Sequence, residues 1–306
     1  MWAIKIFDDE GEAANLELLR LASEWGAGVE VALYGSVGLG QAVDKALRER
    51  FAPQKEHALG LHLPHGTVSL RDLSEQDWGP RALWEAADET WPGRGPLFEA
   101  PKEGSALSAQ ALRLAQEASW ARSVGCLEAV IHLDRGNGAD ERWRQSDPAA
   151  MARSCSGAIQ AASALGLRLH LEKTYESRAW LEAFYQEAAD LGLADHFGFT
   201  LDLGHTRVWE REPLELWMQW IAKLDAQGFG LHFHLHGNPG DTDRHDTLCH
   251  SQAMGWLDPD PQWAPAGAMP IVKEIARLYE SKALLVLENS TAQARENLGW
   301  VELAIR

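Results

Sequence analysis

Eight short apolar runs punctuate the chain, and stretches with helical spacing separate them. The runs cover residues 2–7, 29–35, 58–63, 127–133, 167–172, 197–202, 229–235 and 284–288 and are rich in Val, Ile, Leu or Phe, as expected of strands covered on both faces. Between them, residues 11–25 place Ala14, Leu18, Leu21, Ala22 and Trp25 on one side of a helix. Residues 105–124 do the same with Leu107, Ala111, Leu114, Ala118 and Ala121, with Gly125 as the stop. Ser146-Asp147-Pro148 starts a further helix that Gly166 ends. Eight strands alternating with helices predict an α/β fold, a single (β/α)8 TIM barrel over residues 1–306. A doubly wound open sheet is the rival, but it gives no reason for what stands at the strand ends.

Six runs stop on a group that binds metal well: His62, His132, Glu172, Asp202, His234 and Glu288. Two more constellations follow closely, Asp202-Leu203-Gly204-His205 and Asp243-Arg244-His245. In a barrel the carboxyl ends of the strands share one mouth, where active sites lie. Three imidazoles and three carboxylates converging there predict a metal-dependent enzyme. Imidazole mixed with carboxylate suits Zn²⁺ or Mn²⁺, with iron a further fit, whereas Mg²⁺ or Ca²⁺ prefers oxygen alone. A lone histidine at a strand end is more often structural, so the weight rests on the conjunction. Alternation puts His232, His234 and His236 on one face, so His236 is expected beside the ligands or on substrate.

Two connections, residues 64–104 and 236–270, are long and follow strands at the mouth, as lids and binding loops do. They carry Trp78, Trp84, Trp91, Trp256 and Trp263 among the 14 tryptophans. Trp25, Trp120, Trp180, Trp217 and Trp220 fall in helical patterns and are expected in the core.

Composition narrows the setting. The three cysteines, Cys126, Cys155 and Cys249, lack paired spacing, which predicts neither a disulfide framework nor a thiolate metal knot and favours the cytoplasm. The opening Met1 to Asp9 turns acidic too early for a signal peptide, and no apolar run has the length of a membrane span. The net charge of −17 disfavours a general nucleic-acid binder, although divalent ions would invert the field in an acidic cleft.

The ordered set Glu172, Asp202, His234 and Glu288, after strands five to eight, resembles the shared core of the xylose isomerase-like TIM-barrel superfamily. That superfamily joins sugar isomerases and epimerases to the endonuclease IV family of apurinic/apyrimidinic endonucleases. Five further positions, His62, His132, His205, Asp243 and His245, match the additional ligands of the endonuclease IV-like members. The resemblance runs from about residue 58 to residue 288. It implies one ion on His62, His132 and Glu172, a second on Glu172, Asp202, His234 and Glu288, and a third on His205, Asp243 and His245. Glu172 would bridge the first two. Such a cluster clamps the attacking and leaving oxygens of a phosphoester, so the implied activity is hydrolysis.

Departures bear on the substrate. Asp246-Thr247-Leu248-Cys249-His250 lacks that family's Gly-Glu-Gly turn, and Leu63-Pro64-His65-Gly66-Thr67 lacks its DNA-penetrating loop. Lys173-Thr174 stands where superfamily members more often carry Asn-Thr. The expected substrate is therefore a small phosphoester or a sugar, with nucleic acid disfavoured. Arg244, Arg207 and Arg178 could fork onto a phosphate or carboxylate, and Trp209 could stack on a ring. The alternative is a single-ion isomerase or epimerase in which Glu172 and Glu288 are the catalytic acid/base pair. A catalytically silent barrel is disfavoured by the intact quartet.

Overall fold

The computed structural model describes residues 1–33, 39–51, 59–64, 66–76, 78, 108–135 and 142–305. Its strands are β1 (Trp2–Phe7), β2 (Gly28–Ala32), β3 (Leu59–His62), β4 (Glu128–Ile131), β5 (Arg168–Glu172), β6 (Phe197–Asp202), β7 (Gly230–Leu235) and β8 (Leu284–Leu287). They pair in parallel in chain order, and β8 returns to β1 to close the barrel. All eight sequence-predicted runs are strands, and the open-sheet rival falls.

The helices stop where their punctuation says. Glu12–Trp25 ends on Gly26 in the left-handed region, φ 61°. Pro148–Ala164 starts where the Asp147 side chain accepts a hydrogen bond from Ala150 N, 2.6 Å. Between these helices and the outer strand faces lies the main core, which holds Trp120, Trp180, Trp217 and Trp220 as expected, while Trp25 packs against it only partly buried. The connection 236–270 is less irregular than its length predicts. A Gly237↔Asp246 bridge, the helix Leu248–Ala253 and an Asp260↔Ala264 bridge order it. Trp263 is buried there, its Nε1 donating to Thr206 Oγ1. Trp78 donates to the Leu73 carbonyl, while Trp84 and Trp91 lie outside the described residues.

The barrel interior is polar. Barrel cores are usually filled by branched apolar side chains, but here only Ala3, Leu284 and Val286 form an apolar cluster of their own among the described residues. Around and above them the inward positions are Lys5, Glu30, Glu128, His170, Thr200 and His232, all buried. Gly198 and Gly230 make room for this layer, since a Cβ at either would press on the His170 ring.

One buried charge sits away from the axis. Glu117, on the helix Ala109–Ser123, is fully buried and pairs with Arg113. Burial pushes its carboxyl up from 4.5 to about 7, with Arg113 opposing and Asp8 reinforcing. The folded chain thus holds a proton across that window which the unfolded chain has released, and stability falls as pH rises through it. Glu117→Gln should gain stability relative to the parent between those two pH values, by as much as about 3 kcal/mol. Urea denaturation at several pH values checks this, and a pH-independent difference would refute it.

Candidate metal centre

Alternation along the strands turns His62 (β3), Glu172 (β5), Asp202 (β6) and His234 (β7) inward at the carboxyl ends, while His132 and Glu288 follow β4 and β8 directly. Their ligand atoms converge. Those of Glu172, Asp202, His234 and Glu288 lie within 4.8 Å of one another, as do those of His62, Glu172 and His234. His132 Nε2 joins through Glu172 Oε2 at 3.0 Å. A further set, His205, His236, Asp243 and His245, meets the same limit.

Glu172 stands at the centre and divides its oxygens. Oε2 faces His62 Nε2 at 3.1 Å and His132 Nε2 at 3.0 Å. Oε1 faces His205 Nδ1 at 3.3 Å and His234 Nδ1 at 3.4 Å. His234 Nδ1 also lies 3.0 Å from Glu288 Oε2 and 3.7 Å from Asp202 Oδ2. Four ligands at about 2.0–2.1 Å around a tetrahedral ion stand roughly 3.3 Å apart. The observed spacings bracket that value.

The protonation pattern points the same way. His62 Nδ1 lies 3.0 Å from the Leu63 carbonyl, which only accepts, so Nδ1 carries the proton. Burial, with the Lys5 charge adding to it, lowers the His62 pKa and keeps the ring neutral against the pull of Glu172. Its Nε2 lone pair therefore faces the Glu172 carboxylate, an acceptor against an acceptor. A cation between them resolves the clash, and the donor set fits a divalent ion.

Burial would raise the pKa values of the three carboxyls, but neighbouring imidazoles, with Lys5 at Glu288, outweigh it. Glu172 is held well below its ordinary range by His132 and His234, and Glu288 by His234 and Lys5. Asp202 is lowered by His205 and His236. Conversely the carboxylates raise His205 and His234 well above the usual imidazole value, against burial.

The third group is built on a loop that side chains fix. Asn238 Oδ1 accepts from the backbone N–H groups of Arg244 (2.6 Å) and His245 (3.2 Å), while its Nδ2 donates to Asp243 Oδ1 (3.1 Å). His245 adopts a left-handed conformation, φ 49°, and Asn289 Nδ2 holds its carbonyl at 3.0 Å. Asp243 Oδ2 then lies 3.0 Å from His245 Nε2 and 3.3 Å from His205 Nε2. Asn238 and Asn289 carry no motif in the sequence and are found only through these bonds.

The remaining sequence candidates divide. His236 is fully buried, with Nε2 2.9–3.0 Å from both Asp202 oxygens and its ring stacked on His245 at 4.1 Å. Trp209 tilts against His205 at 4.9 Å and Tyr175 at 4.5 Å. Arg244 is exposed, over Trp256 and near Asp246. Arg207 is largely buried over Trp263, and Arg178 pairs with Glu182 and Glu212.

Comparison with known proteins bears on the fold. No protein-family model and no curated protein matches the chain. Solved structures do. The TTHB071 protein from Thermus thermophilus, soaked with ZnCl2, is 19% identical with a TM-score of 0.56, covering 99% of this chain and 97% of its own. Endonuclease IV from the same organism is 16% identical with a TM-score of 0.56, covering 100% and 97%. A D-tagatose 3-epimerase-like protein is 13% identical with a TM-score of 0.53, covering 99% and 97%. The fold they share with this chain is the closed eight-stranded α/β barrel. At these identities the likeness is one of fold, and the chemistry rests on this chain's own residues. Among the described residues, no helix is long and apolar enough to cross a membrane.

Proposed function

We propose that this chain is a metal-dependent hydrolase of phosphoesters with a multinuclear centre. The observation that carries the reading is the division of Glu172, whose two oxygens face separate sets of imidazole nitrogens. His62, His132 and Glu172 would hold one ion, Glu172, Asp202, His234 and Glu288 a second, and His205, Asp243 and His245 a third, with zinc or manganese the best fit. Bound there, divalent ions would polarise a phosphoryl oxygen and lower the pKa of water. The chain's own part is to fix the ligands and shape the mouth. Glu172 stays ionised and shared, and His236 orients Asp202 through Nε2. Trp209 and Tyr175 offer an aromatic wall beside His205 for a ring of the substrate. Arg244, exposed at the rim, is the cation placed to meet an anionic group.

A second reading, a single-ion sugar isomerase or epimerase, draws on that aromatic wall, which equally fits a sugar face. It needs Glu172 or Glu288 to carry a proton for part of the cycle. Both Glu172 oxygens already face imidazole nitrogens, which favours a ligand over a general acid. Supporting the hydrolase, elemental analysis of protein purified without chelators should find two or three ions per chain. His132→Ala should then cut phosphoester turnover about 100-fold or more. One ion per chain, or near-normal turnover in the variant, would move the assignment to a sugar substrate.

A further inference from the structure

Beneath the candidate ligands, and touching two of them, lie three buried groups that the hydrolase reading leaves unused, Lys5, Glu30 and His232. Lys5 and Glu30 are cross-strand partners on β1 and β2, and both are fully buried. Lys5 Nζ lies 3.2 Å from Glu30 Oε1 and also contacts Glu288 Oε1. Glu30 Oε2 lies 2.8 Å from His232 Nε2 and 3.1 Å from His234 Nε2. Glu288 Oε2 closes the ring on His234 Nδ1 at 3.0 Å. The circuit runs His234, Glu30, Lys5, Glu288 and back to His234, with Glu30 Oε2 shared between His232 and His234.

A buried carboxylate costs several kcal/mol unless it is paired and hydrogen-bonded, so Glu30 calls for an explanation. Its atoms supply one. A carboxylate on one imidazole nitrogen fixes the proton there, orients the ring and leaves the other nitrogen to a metal. Lys5 balances the charge Glu30 brings to the barrel floor and occupies Glu288 Oε1, leaving Oε2 for the mouth.

We infer that Glu30 is a positioning residue for His234: its Oε2 accepts a hydrogen bond from Nε2–H so that Nδ1 is the ligand nitrogen, and Lys5 in parallel directs Glu288 to ligate through Oε2. This rests on the reading that His234 and Glu288 hold a divalent ion. The same cluster of Glu30, His232 and His234 has ligand atoms within 4.8 Å, spacing that also suits a buried fourth ion. The Lys5 ammonium at Glu30 argues against a second cation there.

Zinc titration by calorimetry, with elemental analysis, separates the outcomes. Glu30→Gln should bind zinc at its tightest site about 10- to 100-fold more weakly with the ion count unchanged at saturation. The double variant Lys5→Met/Glu30→Gln, which removes opposite charges together, should weaken it similarly should the single variant not fold. In zinc-loaded parent protein carrying ¹⁵N-histidine, NMR should place the retained His234 proton on Nε2, a test that needs no variant. Loss of one whole ion in Glu30→Gln with the rest unaffected would overturn the inference in favour of a buried ion. So would unchanged affinity, or a His234 proton on Nδ1. A parent protein that takes up no zinc, manganese or iron would instead sink the metal reading, and this inference with it.

Discussion

Glu172→Gln should lose activity by on the order of 10³-fold, the rate equivalent of several kcal/mol of metal-assisted stabilisation, and at least one bound ion per chain. The side chain keeps its shape, so packing is not the cause. What changes is that an acceptor shared by two groups becomes a neutral amide with a donor end. Oε2 faces His62 and His132 at 3.1 and 3.0 Å, and Oε1 faces His205 and His234 at 3.3 and 3.4 Å. Whichever way the amide turns, its NH₂ faces two imidazoles that must also face an ion. Elemental analysis beside turnover measurement tests both halves. A variant with full ion content would show that Glu172 is not the bridge.

Gly204→Ala should destabilise the fold by about 1–3 kcal/mol, the usual cost of overpacking. The sign is informative because Gly204 lies in the helix Leu203–Val208, where alanine is otherwise favoured by about 1 kcal/mol. The added Cβ would press into the His236 ring and lie 2.7 Å from Asn238 Nδ2. His236 holds Asp202 and stacks on His245, while Asn238 holds Asp243 and the loop backbone. The substitution should therefore also weaken zinc at the His205, Asp243 and His245 group. Thermal unfolding and zinc titration check the two effects, and a more stable variant would refute the packing account.

Much of this is legible in the sequence because period-two alternation is strict in short strands. A ligand at the last inward position of β3, β5, β6 or β7 declares both the strand's end and its face. Lys5 and Glu30 obey the same rule without standing out as site residues. Each is a charge between β-branched neighbours, Ile4-Lys5-Ile6 and Val29-Glu30-Val31, which in a strand buried on both faces signals a partner across the sheet. Trp263 misleads in the other direction, since a tryptophan in a long connection says nothing of whether that connection folds back into the core. Asn238 cannot be read at all. Its bonds run to backbone groups six and seven residues on, a distance fixed by how the loop turns at His245 and not by any local pattern.

The asparagines also tie the mouth to the far end of the chain. Asn289, which holds the His245 carbonyl, accepts from Asn297 Nδ2, and Asn297 Oδ1 accepts from Leu248 N. Asn297 is fully buried on the closing helix Ala294–Ala304. Peeling that helix away would strand two groups at once, Asn289 Oδ1 and the Leu248 N–H, so its opening is expected to be coupled to that of the loop that Asn289 holds. An ion gripped by His205, Asp243 and His245 is therefore expected to slow hydrogen exchange in that helix as well.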